Sequence, residues 1–134
     1  MKFYKIIALL TSALFAYLFI YLLTNSGSFL NGIGLQSSVA TYVLARRASM
    51  FMLGISVLML GSINLPPSKA RQIICLSTAI TMFGLACMGS MEFLNGNLNA
   101  SIIPAIVIET SLGISFGIIF FKNRNAESKQ FLNK

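Results

Sequence analysis

Residues 38–62 read SVATYVLARRASMFMLGISVLMLGS and set the pattern of the whole chain. Apart from Arg46 and Arg47 the stretch carries no charge, and it is followed by Asn64 and the Pro66-Pro67 pair, which cannot continue a helix. Because an α-helix rises about 1.5 Å per residue, roughly 20 apolar residues cross the hydrocarbon layer of a bilayer. The stretch therefore predicts a membrane-spanning helix that ends before the prolines.

Three further stretches on either side of it have the same apolar character. They cover about residues 6–23, 72–94 and 101–121, and each is followed by a polar segment. Of the 134 residues, 56% are apolar and 10% are charged, and the mean hydropathy is +0.80, a composition typical of membrane proteins. We therefore predict an all-α integral membrane four-helix bundle, a single domain at residues 1–122 with a charged cytoplasmic tail at 123–134.

The ten Lys and Arg residues, against three acidic residues, indicate how the helices are oriented. Basic residues lie before the first stretch, between the second and third, and after the fourth, whereas segments 24–37 and 95–100 are uncharged. Cytoplasmic loops are enriched in Lys and Arg, so both termini are predicted to be cytoplasmic in a multi-pass protein of the cell membrane. A cleaved N-terminal signal is the alternative, but the apolar stretch is long for one and no A-x-A site follows it.

Four charged side chains lie within or near the predicted helices. Placing a charge inside a bilayer costs about 2.5–3.5 kcal/mol, so each of these groups needs a partner or water. Arg46 and Glu109 each lie eight residues after the start of helices that run in the same direction, which places both about 12 Å below the outer boundary. Glu92 lies near the outer end of the third helix, within reach of Arg46 or Arg47. The sequence therefore predicts an Arg/Glu cluster in the outer leaflet.

This cluster is the candidate binding site for an anionic small molecule or a lipid headgroup, with Tyr42 one turn from the first arginine as a further hydrogen-bonding group. The candidate binding residues are Arg46, Arg47, Glu109, Glu92 and Tyr42. Two other interpretations remain open. Buried Arg–Glu pairs often only fix the register of helices, and residues 37–47 could lie flat at the membrane surface with the span starting near Ala48.

Small residues recur on one face of two of the predicted helices. One stripe consists of Ala105, Glu109, Gly113 and Gly117, and the other of Arg47, Gly54 and Gly61. Small residues let membrane helices approach closely, so both stripes are expected to face protein rather than lipid. The segment at 27–32 leaves two possibilities open, a small external cap or a flexible connector.

Several functional classes are disfavoured by composition. The chain has no His, Asp or Trp, which removes the commonest general base and most sets of metal ligands. Cys75 and Cys87 lie about 18 Å apart along one helix, too far for a disulfide, and are interpreted as packing residues. No metal, cofactor or nucleic-acid partner is predicted, and an enzyme is the least favoured class because Glu92 and Glu109 are the only acid–base candidates in the spans.

The run VLARRASMFMLGISVLML at residues 43–60, with paired arginines and a glycine seven residues after the second, resembles the second helix of small uncharacterised bacterial four-helix membrane proteins, which are loosely similar to the DoxX-like group. The resemblance covers the hydropathy layout of residues 1–122 and implies a helical bundle in the bacterial cytoplasmic membrane. Two functions are then open: a binding protein for an anionic ligand or lipid headgroup, or an accessory subunit of a homo-oligomer or larger membrane complex.

Overall fold

The computed structural model describes the backbone of residues 2–132 and the side chains of residues 2–122, and these residues are almost entirely helical. The elements are α1 (Lys2–Thr24), α2 (Ser26–Gly32), α3 (Val39–Ser62), α4 (Lys69–Leu94), a 3-10 turn (Ala100–Ile102) and α5 (Ile103–Leu132). Four segments are long and apolar enough to cross a membrane, namely α1, α3, α4 and residues 100–122. The prediction of an all-helical chain with four such segments is confirmed.

The starts of α3 and α4 are fixed by serine caps. The Ser38 hydroxyl accepts from the backbone N–H of Thr41, and the Thr41 hydroxyl accepts from the backbone N–H of Ser38, which together form a capping box. The Ser68 hydroxyl accepts from the backbone N–H of Arg71 in the same way at α4. Because α3 is one continuous helix from its cap onward, the alternative in which residues 37–47 form a separate surface segment does not match the structure.

Helices α1 and α3 pack as an antiparallel pair that is joined in its middle by two serines. The Ser12 hydroxyl donates to the Ser56 carbonyl oxygen at 2.9 Å, and the Ser56 hydroxyl donates to the Ser12 carbonyl oxygen at 2.9 Å. Both serines are buried, and their hydroxyl oxygens lie 3.2 Å apart. These bonds reach the backbone of the facing helix, so the two helices are in close contact here and their register is fixed.

Helices α4 and α5 form the second antiparallel pair, and two glycines allow them to approach closely. A Cβ atom at Gly113 would lie 3.2 Å from the ring of Phe83, and one at Gly89 would lie 3.2 Å from Cγ1 of Ile106. Gly113 therefore faces a neighbouring helix, as predicted, whereas a Cβ atom at Gly117 of the same stripe would meet nothing within 4 Å in the described chain. The pairing of α1 with α3 and of α4 with α5 dominates the contacts between the long helices.

The two pairs share a buried core at one end of the bundle. This end, which we call the basic end, contains Lys2, Lys5, Lys69, Arg71 and Lys122. Its core receives side chains from all four long helices: Tyr4, Ala8, Met59, Cys75, Ala79, Phe116 and Ile119. The basic half therefore has a buried core that all four long helices share.

The opposite half, which we call the α2 end, is packed differently. Its buried cluster consists of Leu22, Leu30 and Ala45, which belong to α1, α2 and α3. Helix α2 is thus a short cap on the first helix pair, which confirms the cap alternative for residues 27–32 over the flexible connector. Since this cluster takes no buried residue from α4 or α5, the two pairs separate toward the α2 end.

We predict that Ser12→Ala and Ser56→Ala will each lower the free energy of unfolding, because each removes a buried bond between helices. Such bonds between membrane helices contribute on average about 0.6 kcal/mol and at most about 1.7 kcal/mol. The measurement is reversible unfolding in mixed detergent micelles. Ser111→Ala is the control, since this exposed hydroxyl bonds only within its own helix among the described residues. Equal effects of all three substitutions would contradict the assigned role of the serine pair.

Candidate functional site

The predicted Arg/Glu cluster is not formed in the structure. Arg46 and Arg47 are exposed on α3, whereas Glu109 is half-buried on α5. Among the side chains of residues 2–122, no ion pair joins either arginine to Glu92 or Glu109. The physical reason is the helix pairing: α3 packs on α1 and α5 packs on α4, so the equal height predicted for these groups along their helices does not bring them together.

Glu92 and Tyr42 have local contacts instead. The Glu92 carboxylate accepts a hydrogen bond of 2.7 Å from the Asn97 side chain, which links it to the turn after α4. Tyr42 packs against the α2-end cluster, and its ring and hydroxyl lie beside Gly27 of α2. Both residues therefore support the connections at the α2 end, and neither is brought to Glu109.

The stripe of Arg47, Gly54 and Gly61 also lies elsewhere than predicted. All three residues are exposed, and a Cβ atom at either glycine would meet nothing within 4 Å in the described chain. The expectation that this stripe packs inside the bundle is wrong, because α3 turns its serine-bearing face toward α1. The face that carries Arg47 is left on the surface of the chain.

A cleft of about 510 Å³ lies where the two helix pairs separate. It extends from the middle of the bundle toward the α2 end, and α1 and α5 supply most of its walls. Helices α2 and α3 contribute one residue each, Phe29 and Met52, and α4 contributes Met82 and Leu85. The lining is almost entirely apolar, and Glu109 is the only charged side chain among the described residues that line it.

Aromatic rings form part of the α1 wall of this cleft. Tyr17 and Tyr21 stack in parallel with ring centroids 5.8 Å apart, and Phe29 meets Tyr21 edge-on at 6.1 Å. All three line the cleft, and Tyr17 remains 61% exposed. Aromatic rings therefore make up part of the cleft lining.

Asn99 joins the two helix pairs at the α2 end. Its backbone N–H donates to the Ile33 carbonyl oxygen at 3.0 Å, and its side-chain amide donates to the Gly32 carbonyl oxygen at 2.9 Å. Phe29 and Ser101, which are close in sequence to the two sides of this connection, both line the cleft. The connection, which we call the Asn99 strap, thus lies near the α2 end of the cleft.

Arg71 is deeply buried, with 4% of its surface exposed. Its guanidinium lies 4.3 Å from the centre of the Tyr4 ring and donates to the Leu65 carbonyl oxygen at 3.4 Å. Tyr4 in turn donates to the Ser62 hydroxyl at 2.7 Å, so these groups tie α1, α3 and α4 together at the basic end. From the sequence, Arg71 was interpreted only as one of the basic residues between the second and third apolar stretches, and its burial was not predicted. The available signal was its place in the first turn of a helix, where a side chain extends back over the preceding loop.

Comparisons of the chain with protein-family models, with curated proteins and with solved structures found no match. The resemblance to the DoxX-like group stays a prediction. Among the described residues, no three His, Cys, Asp or Glu side chains are grouped so that they could hold a metal ion. The apolar cleft with its single carboxyl group is therefore the feature from which a function can be argued.

Proposed function

We propose that the chain is a multi-pass protein of the cell membrane that binds an amphipathic small molecule in the cleft between its helix pairs. The cleft volume of about 510 Å³ carries this proposal. Ligand pockets commonly enclose about 300–1,000 Å³ and combine apolar walls with a few polar groups. Here the walls are apolar and aromatic, and the polar residues of the lining are Glu109, Ser101 and the two tyrosines, Tyr17 and Tyr21. A molecule with an apolar body and one polar head fits this distribution.

The distribution of charge supports a cytoplasmic location for the basic end. Lysines and arginines flank the helices there, while segments 24–37 and 95–100 at the α2 end carry none. Under the positive-inside rule both termini are cytoplasmic and the cleft lies in the outer half of the membrane. A ligand dissolved in the outer leaflet is then at the depth of the cleft.

Filling the cleft should weaken ligand binding. We expect Ala105→Leu, which adds volume to the lining, to lower the affinity for the neutral amphipath triphenylphosphine oxide by about tenfold, or about 1.4 kcal/mol. The affinity is measured by calorimetric titration of the protein in uncharged detergent. Ala13→Leu is the matched control because Ala13 is exposed on α1 and does not line the cleft. Absence of binding to the unmodified protein, or equal loss in both variants, would overturn the proposal.

Arg46 and Arg47 support a second part of the proposal, contact with anionic lipid headgroups. Both are exposed, near the α2 end of α3. Long arginine side chains extend along a helix toward the membrane surface, where lipid phosphates accept their hydrogen bonds. The anionic group predicted from the sequence would thus be held on the outside of the bundle, separately from the cleft.

We expect added phosphatidylglycerol to raise the thermal stability of the detergent-solubilised protein more than phosphatidylcholine does. The extra stabilisation by phosphatidylglycerol over phosphatidylcholine, expressed as a free energy of unfolding, should be about 2 kcal/mol smaller in the double variant Arg46→Gln, Arg47→Gln. The reason is that each basic residue near an anionic surface contributes about 1 kcal/mol. The double lysine variant is the control that retains both charges and should keep most of the effect. An unchanged lipid effect in the glutamine variant would exclude these residues as the headgroup site.

One observation favours the alternative function, an accessory subunit of a larger membrane assembly. The exposed face with Arg47, Gly54 and Gly61 offers small residues of the kind found where membrane helices associate. On this alternative the face would pack against a helix of another chain or of a second copy.

If this alternative holds, Gly54→Leu and Gly61→Leu will dissociate the assembly, because the added side chains separate the packed helices. The mass of the solubilised particle, measured by light scattering corrected for detergent, should fall toward the 14.6 kDa of one chain. Gly84→Leu is the matched control, since this glycine of α4 is also exposed with nothing near its Cβ position. A single-chain mass for the unmodified protein would rule out obligate assembly.

A further inference from the structure

Glu109 lies in the cleft without a partner among the described side chains. Its side chain is half-buried and belongs to a lining that is otherwise mostly apolar. No side chain or backbone group of residues 2–122 forms a hydrogen bond or an ion pair with its carboxyl group. Partial burial among apolar side chains removes part of the hydration of this carboxyl group, so a cation that enters the cleft interacts favourably with it and in turn favours its ionised form. The lining thus contains a binding group for positive charge.

The nearby aromatic wall favours the same sign of charge. The faces of aromatic rings attract cations, and Tyr17 and Tyr21 are stacked in the wall of the cleft that holds Glu109. An ammonium or phosphonium head can therefore use both the carboxylate and the ring surface. The apolar side chains of α1 and α5 are left for the body of the ligand.

The positions of the arginines argue against a preference of the cleft for anionic ligands. Arg46 and Arg47 do not line the cleft, and α3 contributes Met52 to the lining. The buried Arg71 lies at the basic end, in contact with Tyr4 and Leu65. An anion in the cleft would thus lie near a carboxyl group, and no lysine or arginine among the described residues lines the cleft to bind it.

From this juxtaposition we infer that the cleft selects an amphipathic monocation, such as a quaternary ammonium or phosphonium compound with an apolar body. Glu109 binds the positive head, and the Tyr17–Tyr21 wall stacks on it. The inference rests on the proposed binding of amphipathic molecules in the cleft and specifies the chemical class of the ligand.

The test uses three probes: tetraphenylphosphonium and tetraphenylborate, which have nearly the same size and opposite charges, and the neutral triphenylphosphine oxide, which has one phenyl ring fewer. In uncharged detergent, we expect the unmodified protein to bind the phosphonium at least about ten times more tightly than the neutral probe. Glu109→Gln should lower the phosphonium affinity about tenfold and leave the affinity for the neutral probe nearly unchanged. Glu92→Gln is the matched control, because this second glutamate lies outside the cleft, and it should leave the ratio of the two affinities unchanged.

A second variant keeps the inference testable if Glu109→Gln does not fold. Tyr17→Leu should lower the phosphonium affinity by roughly 2- to 30-fold through loss of the cation–ring interaction, whereas Tyr17→Phe should retain most of it. Tighter binding of the borate than of the phosphonium, or a phosphonium preference that survives in Glu109→Gln, would overturn the inference. If the neutral probe binds without any preference for the cation, only this inference fails. If none of the three probes binds, the proposed function fails as well.

Discussion

The structure depends on the close pairing of α1 with α3 and of α4 with α5. In a bilayer the hydrophobic effect does not drive helices together, because lipid tails are as apolar as the side chains they would replace. Association then requires close packing or polar contact, and each pair has one of these. Ser12 and Ser56 bond across the first pair, and Gly89 and Gly113 bring the second pair together. The cleft lies beyond the core that the two pairs share at the basic end, where the buried cluster takes residues from the first pair and α2 alone.

Much of the fold was predictable from the sequence because hydropathy and helix length are local properties. The four long helices, the breaks at Pro66-Pro67 and the alternation of basic and uncharged segments follow from residues that are close in the chain. Even the orientation of Gly113 toward another helix followed from a four-residue spacing. The charged tail was placed after residue 122, whereas the backbone of α5 continues to Leu132.

The candidate site was less predictable because it depends on which helices are neighbours. Arg46 and Glu109 were assigned the same depth, but depth along the membrane normal gives no position within the plane of the membrane. Neighbour choice is decided by contacts such as the serine pair, whose two members are 44 residues apart. Arg71 shows the same difficulty, because its burial depends on Tyr4, which the sequence places far away. The cleft itself is a gap between helices and has no local signature.

The Asn99 strap has a mechanical consequence. The two helix pairs are fastened to each other at the basic end by a shared core and at the α2 end by the two hydrogen bonds of a single residue. Because the helix pairs are in contact at both ends, the space between them can widen only if the helices bend outward at mid-length or if one of the two contacts breaks. The contact at the α2 end consists of exposed hydrogen bonds, whereas the contact at the basic end is a buried apolar core. The weaker contact therefore lies at the end that is proposed to face the exterior.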